Sequence, residues 1–217
     1  MKKIITMDEA VDKIKDGMTI MVGGFLGCGS PKKLIDAIVE SDIKDLTLIC
    51  NDTSFPDYAV GKMIVKKQFR KVIVSHIGTN KETIRQMNDN ETEVELVPQG
   101  TLVEQIRCAG FGLGGFFTPT GVGTEVETGK EKKVIDGITY IYEKPLKADI
   151  ALLLGSKVDE KGNVFYNATT RNFNPIMALA ADTVIVEAAE IVEVGDLDPN
   201  CIATPHIFIN YIVGGDK

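Results

Sequence analysis

Tryptophan is absent from this chain, histidine occurs only twice, and aromatic residues make up 6% of its 217 positions. The shortage of histidine, with four cysteines (Cys28, Cys50, Cys108 and Cys201) far apart and no C-x-x-C pair, argues against a zinc site and a disulfide framework. Positive charge is short as well. The formal net charge of −7 excludes broad electrostatic attraction to nucleic acid or an anionic membrane, so any phosphate contact must come from local features. No apolar run approaches a membrane span, and the opening MKKIITMDEA has too few apolar residues for a secretion signal. These absences predict a soluble cytoplasmic protein with no metal centre. The 44% hydrophobic and 25% charged residues that are present suit one globular domain, 1–217, with a sizeable core.

Strand and helix signals alternate with few breaks. Thr6 and Glu9 have the spacing of a capping box ahead of a helix to about Lys15, and Thr19 to Val22 reads as a buried strand. Pro31 to about Glu40 places Leu34, Ile35, Ile38 and Val39 on one helical face. Further strands are expected at Leu46 to Cys50, Val72 to Ile77, Val94 to Val97, Ile150 to Leu154 and Val184 to Val186. Helices are expected near Tyr58 to Val65, Lys81 to Met87, Leu102 to Cys108 and Pro175 to Ala181. The order predicts an α/β protein with an open, mostly parallel, doubly wound sheet and helices on both faces. Val134 to Tyr142 breaks the pattern: it reads as a small antiparallel hairpin closed on Asp136-Gly137, and a second is plausible around Glu160 to Asn163.

The most informative stretch is DGMTIMVGGFLGCGSPKKL, Asp16 to Leu34, where an apolar strand runs into Gly23, Gly24, Gly27 and Gly29 and then into a helix start. Such a loop leaves backbone N–H groups open to a phosphate or an oxyanion. Ser30 and Pro31 fit the cap and first position of the helix, whose positive end would point into the same loop. An ordinary strand-to-helix crossover has a similar sequence, and the glycine density favours binding. In an open α/β sheet ligands collect at the carboxyl ends of strands. Asn51, Asp52 and Thr53, then Ser75, His76 and Gly78, then Pro98, Gln99 and Gly100, would therefore face the loop. Gln99 is a neutral amide able to donate to a developing oxyanion, or else a turn or cap residue. A buried, hydrogen-bonded role is expected of His76, and solvated positions of Lys32 and Lys33. Gly110, Gly112 and Gly115 fit G-x-G-x-x-G, but they follow a helical stretch and precede loop chemistry, which rules out a nicotinamide site.

The Asp-Gly pair, apolar run, Gly-Gly-Phe and Gly-x-Pro close resemble the N-terminal signature of family I CoA-transferases. Glu95 to Thr124, ELVPQGTLVEQIRCAGFGLGGFFTPTGVGT, resembles a second block of that family, and Lys161-Gly162-Asn163 and Asn172-Phe173-Asn174-Pro175 resemble its A-type polypeptide. The resemblance spans essentially the whole chain. It implies that Gln99 contributes to an oxyanion hole, that Asn51 lies near the reacting carboxylate, and that Gly24, Phe25, Leu26, Gly27, Cys28, Gly29 and Ser30 form the segment associated with CoA.

The resemblance also implies ping-pong exchange through a glutamyl-CoA thioester, but the family's nucleophile lies in a Ser-Glu-x-Gly motif of the B-type half. Here Glu127, Glu160 and Glu193 begin Glu-x-Gly triplets, and Val126, Asp159 and Val192 stand where serine would be needed. Glu127 and Glu193 read as exposed loop residues, and Glu104 with Arg107 as a local ion pair. The chain is thus similar to an α subunit requiring a β subunit that carries Ser-Glu-x-Gly, in a hetero-oligomer (α2β2 or larger). Short-chain acyl-CoA (acetyl-CoA, acetoacetyl-CoA, butyryl-CoA) and carboxylates would be substrates, with coenzyme A a substrate and no tightly bound cofactor. A stand-alone CoA- or phosphosugar-binding regulatory module would use the same loop without chemistry.

Overall fold

The structure, a computed structural model, describes residues 3–215. The chain begins with β1 (Lys3–Ile4) and α1 (Met7–Val11), then alternates through β2 (Thr19–Val22), α2 (Lys32–Val39), β3 (Leu46–Ile49), α3 (Val60–Val65), β4 (Phe69–Val74), α4 (Lys81–Asn88), β5 (Glu93–Leu96) and α5 (Gln99–Gly110). An antiparallel excursion follows: β6 (Phe116–Thr118), β7 (Lys132–Ile135) and β8 (Ile138–Glu143). The alternation resumes with β9 (Ala148–Gly155), β10 (Lys157–Asp159), β11 (Val164–Phe165), α6 (Asn174–Met177), β12 (Ala181–Ala188), β13 (Ile191–Val192) and β14 (Tyr211–Gly214).

Eight strands form one sheet in the order β1-β14-β12-β9-β2-β3-β4-β5, and every neighbouring pair is parallel. From β2 the chain winds outward to β5, and from β9 outward in the other direction to β14. The expected doubly wound sheet is therefore present, with its reversal point between β2 and β9. Side-chain alternation sends Ile20 and Val22 to one face and Met21 to the other, the reason that each strand reads as an uninterrupted apolar run. On the first face lie Ala10 of α1, Leu34, Ile35 and Ile38 of α2, Met63 and Ile64 of α3, and Ile84 and Met87 of α4. On the second lie Leu102 and Ile106 of α5 and Met177 of α6.

The antiparallel additions match expectation. Asp136 and Gly137 have φ of 50° and 79°, the left-handed pair that a tight hairpin turn demands, and β6 extends the hairpin to a three-stranded sheet. β10 and β11 form the second hairpin, with β13 alongside. The Thr6–Glu9 capping box is formed, but α1 ends at Val11 rather than near Lys15, because the chain turns there to bury Ile14. Similarly, α6 stops at Met177 and Ala181 already opens β12. β1 and β14 are additions that short segments gave no signal for. Among the described residues no helix is long and apolar enough to cross a membrane.

Candidate functional site

The loop after β2 is a tight turn. Phe25 and Cys28 exchange both backbone hydrogen bonds, at 3.0 and 2.9 Å, around Leu26 and Gly27, whose φ values are 47° and 77°. Gly24 has φ of 130°, and a Cβ there would lie 2.0 Å from Ser30 Oγ. Ser30 is accordingly not the helix cap: it is buried beneath Gly24, and α2 begins at Lys32 after Pro31 with no side-chain cap of its own. The cap comes from across the sheet. Glu187 of β12 accepts hydrogen bonds from Leu34 N–H at 2.8 Å and Lys33 N–H at 3.3 Å. The positive end of α2 is thus satisfied by protein rather than left open to the loop. Burial pushes the Glu187 carboxyl pKa up, against the pull of its two backbone donors.

Other polar side chains fix the same loop. Asp52 accepts from Leu26 N–H at 2.8 Å, from Asn51 Nδ2 at 2.7 Å and, through its other oxygen, from Ser54 N–H at 2.8 Å. At the base, Asn172 Nδ2 donates to Cys28 O and Asn174 Nδ2 to Gly29 O, each at 2.9 Å. Asn174 is fully buried and accepts from Leu154 N–H at 3.2 Å, so it bridges the ends of β2 and β9. A Cβ on Gly23 would lie 2.0 Å from its Oδ1. The crevice where doubly wound sheets commonly seat a ligand is therefore filled by an amide. Among the described residues, the N–H groups of Gly24, Gly27 and Gly29 have no partner.

The open space lies beyond the next strands. A cavity of 380 Å³ is lined by Phe25, Leu26, Asn51, Asp52, Ser75, His76 and Gln99. Residues expected at three strand ends thus meet the glycine loop, while Thr53 is buried on Thr83 instead. Asn51 is buried, and its Oδ1 accepts from Ser75 Oγ at 3.1 Å. Gln99 is the first residue of α5; it is exposed, and among the described residues its amide has no hydrogen bond, so it is not acting as a cap. It also borders a neighbouring 510 Å³ cavity with Thr101, Glu104 and Phe116. His76 is exposed at the cavity, contrary to the buried role expected of it. Of the loop, Phe25 and Leu26 reach the cavity. Gly24, Gly27, Gly29 and Ser30 shape the turn, and Cys28 is exposed beside Thr169. Lys32 is not simply solvated, since its ammonium meets Tyr58, lying 4.3 Å from the ring centroid and hydrogen-bonded to the hydroxyl.

No glutamate lines the 380 Å³ cavity. Glu127 is half-buried rather than exposed, accepting from Gly123 N–H at 2.8 Å and paired with Lys132 at 2.8 Å. Glu193 is exposed as expected. The Glu104–Arg107 pair forms at 2.7 Å on a solvent face, where such pairs contribute about 0–1 kcal/mol. Sequence reading missed the roles of Asp52, Asn174 and Glu187. For Glu187 a signal existed: one carboxylate inside the buried run Val184 to Ala188 needs a partner.

Comparison with known proteins gives concordant results. The family profile described as Coenzyme A transferase matches residues 4–215. The chain is 54% identical over 211 residues to the acetate CoA-transferase subunit alpha of Escherichia coli (strain K12), covering 97% of this chain and 96% of that one. It is also 54% identical over 211 residues to the acetoacetyl-CoA:acetate/butyrate CoA transferase alpha subunit of Clostridium acetobutylicum, covering 97% of each. Among solved structures, an acyl-CoA transferase from E. coli O157:H7 in a thioester complex with CoA superposes with a TM-score of 0.87 at 20% identity, over 98% of this chain and 47% of that one. At that identity the likeness is one of fold.

Proposed function

The chain belongs to the coenzyme A transferase family, and on that premise we propose that residues 1–217 form one domain, the α subunit of a two-subunit cytoplasmic enzyme. The enzyme moves CoA between short-chain acyl-CoA (acetyl-CoA, acetoacetyl-CoA or butyryl-CoA) and a carboxylic acid. One observation carries the reading: the cavity gathers an unpartnered amide, Gln99, with Asn51 and the glycine loop, yet holds no glutamate. The names of the relatives, both alpha subunits, support the same division of labour.

In this mechanism a glutamate of the β subunit, in Ser-Glu-x-Gly, attacks the thioester carbonyl. The C–S bond breaks, leaving a mixed anhydride and CoA thiolate, which attacks the glutamyl carbonyl to form a glutamyl-CoA thioester and release the first acid. The second acid reverses these steps and leaves as acyl-CoA. Each tetrahedral intermediate bears a negative oxygen, and Gln99 donates to it without adding charge. Asn51, held by Ser75, orients the carboxylate, and the free N–H groups of Gly24, Gly27 and Gly29 in the segment from Gly24 to Ser30 receive CoA, which is a substrate and not a bound cofactor. The working form is a hetero-oligomer, α2β2 or larger.

The test is reconstitution. The purified chain alone is expected to transfer no CoA from acetyl-CoA to butyrate or acetoacetate, and its complex with a β subunit to do so. Robust turnover by the lone chain would sink the subunit assignment. Binding of CoA with no turnover in any complex would favour a stand-alone binding module instead.

A further inference from the structure

Glu187 has no part in the chemistry above, yet it is a carboxylate only 5% exposed in the middle of a parallel sheet. Its strand neighbours Val184, Ile185, Val186 and Ala188 are all buried and apolar. Where α1 and α4 are capped by nearby Thr6 and Asn80, α2 takes its acceptor from 153 residues away. The first turn of α2 follows directly on the glycine loop, and Ser30, the last residue of that loop, is wedged under Gly24. A displacement at residues 33 and 34 therefore reaches Gly24 through a few rigidly packed atoms.

We propose that Glu187 is a positioning residue: by seizing the N–H groups of Lys33 and Leu34 it fixes the start of α2, and with it the loop geometry that receives acyl-CoA. The inference rests on the assignment of that loop to CoA. Two consequences follow from the hydrogen bonds. The helix amides nearest the loop are withdrawn from competition for a phosphate, so anion contacts fall to Gly24, Gly27 and Gly29. Because the bonds are charge-assisted, they also hold α2 more tightly than a neutral amide would. Burying a carboxylate works against stability, as the raised pKa indicates. A charge kept at a cost to the fold is expected where it serves the site.

Glu187→Gln preserves shape and one acceptor oxygen while removing the charge. In the reconstituted αβ complex it is expected to raise the KM for acetyl-CoA on the order of tenfold, with kcat within about twofold and a melting temperature equal to or above wild type. Amide hydrogen exchange of residues 24–30 in the complex should quicken in the same variant. An unchanged KM with unchanged exchange would overturn the proposal. So would a higher KM accompanied by a lower melting temperature, or failure of the variant to fold, since either would mark Glu187 as scaffolding. A wild-type complex that transfers no CoA would refute the assigned function instead, and the exchange measurement would still decide whether Glu187 fixes the loop.

Discussion

The carboxyl ends of β2 and β9 lie side by side at the reversal point of the sheet, and they are finished in opposite ways. After β9 the chain is sealed with hydrocarbon: a Cβ on Gly155 would lie 2.5 Å from Val158 and 2.8 Å from Val164, and the backbone passes at once into the small sheet of β10, β11 and β13. After β2 the chain is held by polar side chains, Asp52 at the tip, Asn172 and Asn174 at the base, and Glu187 at the helix. Apolar packing fills space, whereas directional bonds from the periphery fix a backbone while leaving its amides and an adjoining cavity empty. The second finish is the one suited to a ligand.

The largest effect that would sharpen this contrast is at Gln99. Its side chain is exposed and unbonded, so Gln99→Ala should leave the melting temperature unchanged while lowering kcat of the complex by about 100- to 1,000-fold, the usual loss of an oxyanion donor. Steady-state rates beside thermal melts on one preparation check this, and wild-type turnover would demote Gln99. Next come the two glycines. Gly24→Val introduces a β-branched side chain at φ of 130° against Ser30 and should weaken acyl-CoA turnover more than stability. Gly155→Val should do the reverse, lowering stability by about 1–3 kcal/mol through overpacking while the folded fraction keeps normal KM. Equal kinetic damage from both would erase the distinction between the two ends.

The smallest effect concerns pH. The folded-state pKa of Glu187 is raised by burial above the ordinary glutamate value of 4.5, so folding favours its protonated form. The stability it contributes is fully present below that ordinary value and is lost as pH rises through the raised one. Wild type and Glu187→Gln should therefore melt alike in acid, and the variant should gain on wild type as pH climbs past 4.5 towards neutrality. A gap that instead opened on acidification would reverse the assignment.

Much of the fold was legible because local chemistry and tertiary need agree. Leu46 to Ile49 is apolar throughout because both faces of its strand are covered, and Asp136-Gly137 can adopt the left-handed turn that joins β7 to β8. The cluster of Asn51, Ser75 and Gln99 followed from one rule about strand ends. What local pattern could not convey was which hydroxyl or carboxylate would win a given N–H. Ser30 has the right residue type and position for a cap, but its hydroxyl faces Gly24, and Glu187 takes the donors from β12. His76 sits at a strand end as expected, and its exposure depends on the breadth of a cavity that only the assembled sheet defines.

The polar holds on the glycine loop also set an order of events. Gly29 is bound by a residue 145 positions later and Leu34 by one 153 positions later. At the usual pace of translation, residue 174 emerges on the order of 10 s after the loop. Until then the segment that carries the clearest motif in the chain has no fixed geometry to offer CoA. Such distant closures are the slow part of folding. A product truncated before Asn172 would keep the motif in full and lack the hold that gives it shape, so the N-terminal signature becomes a site only when the last third of the chain has arrived.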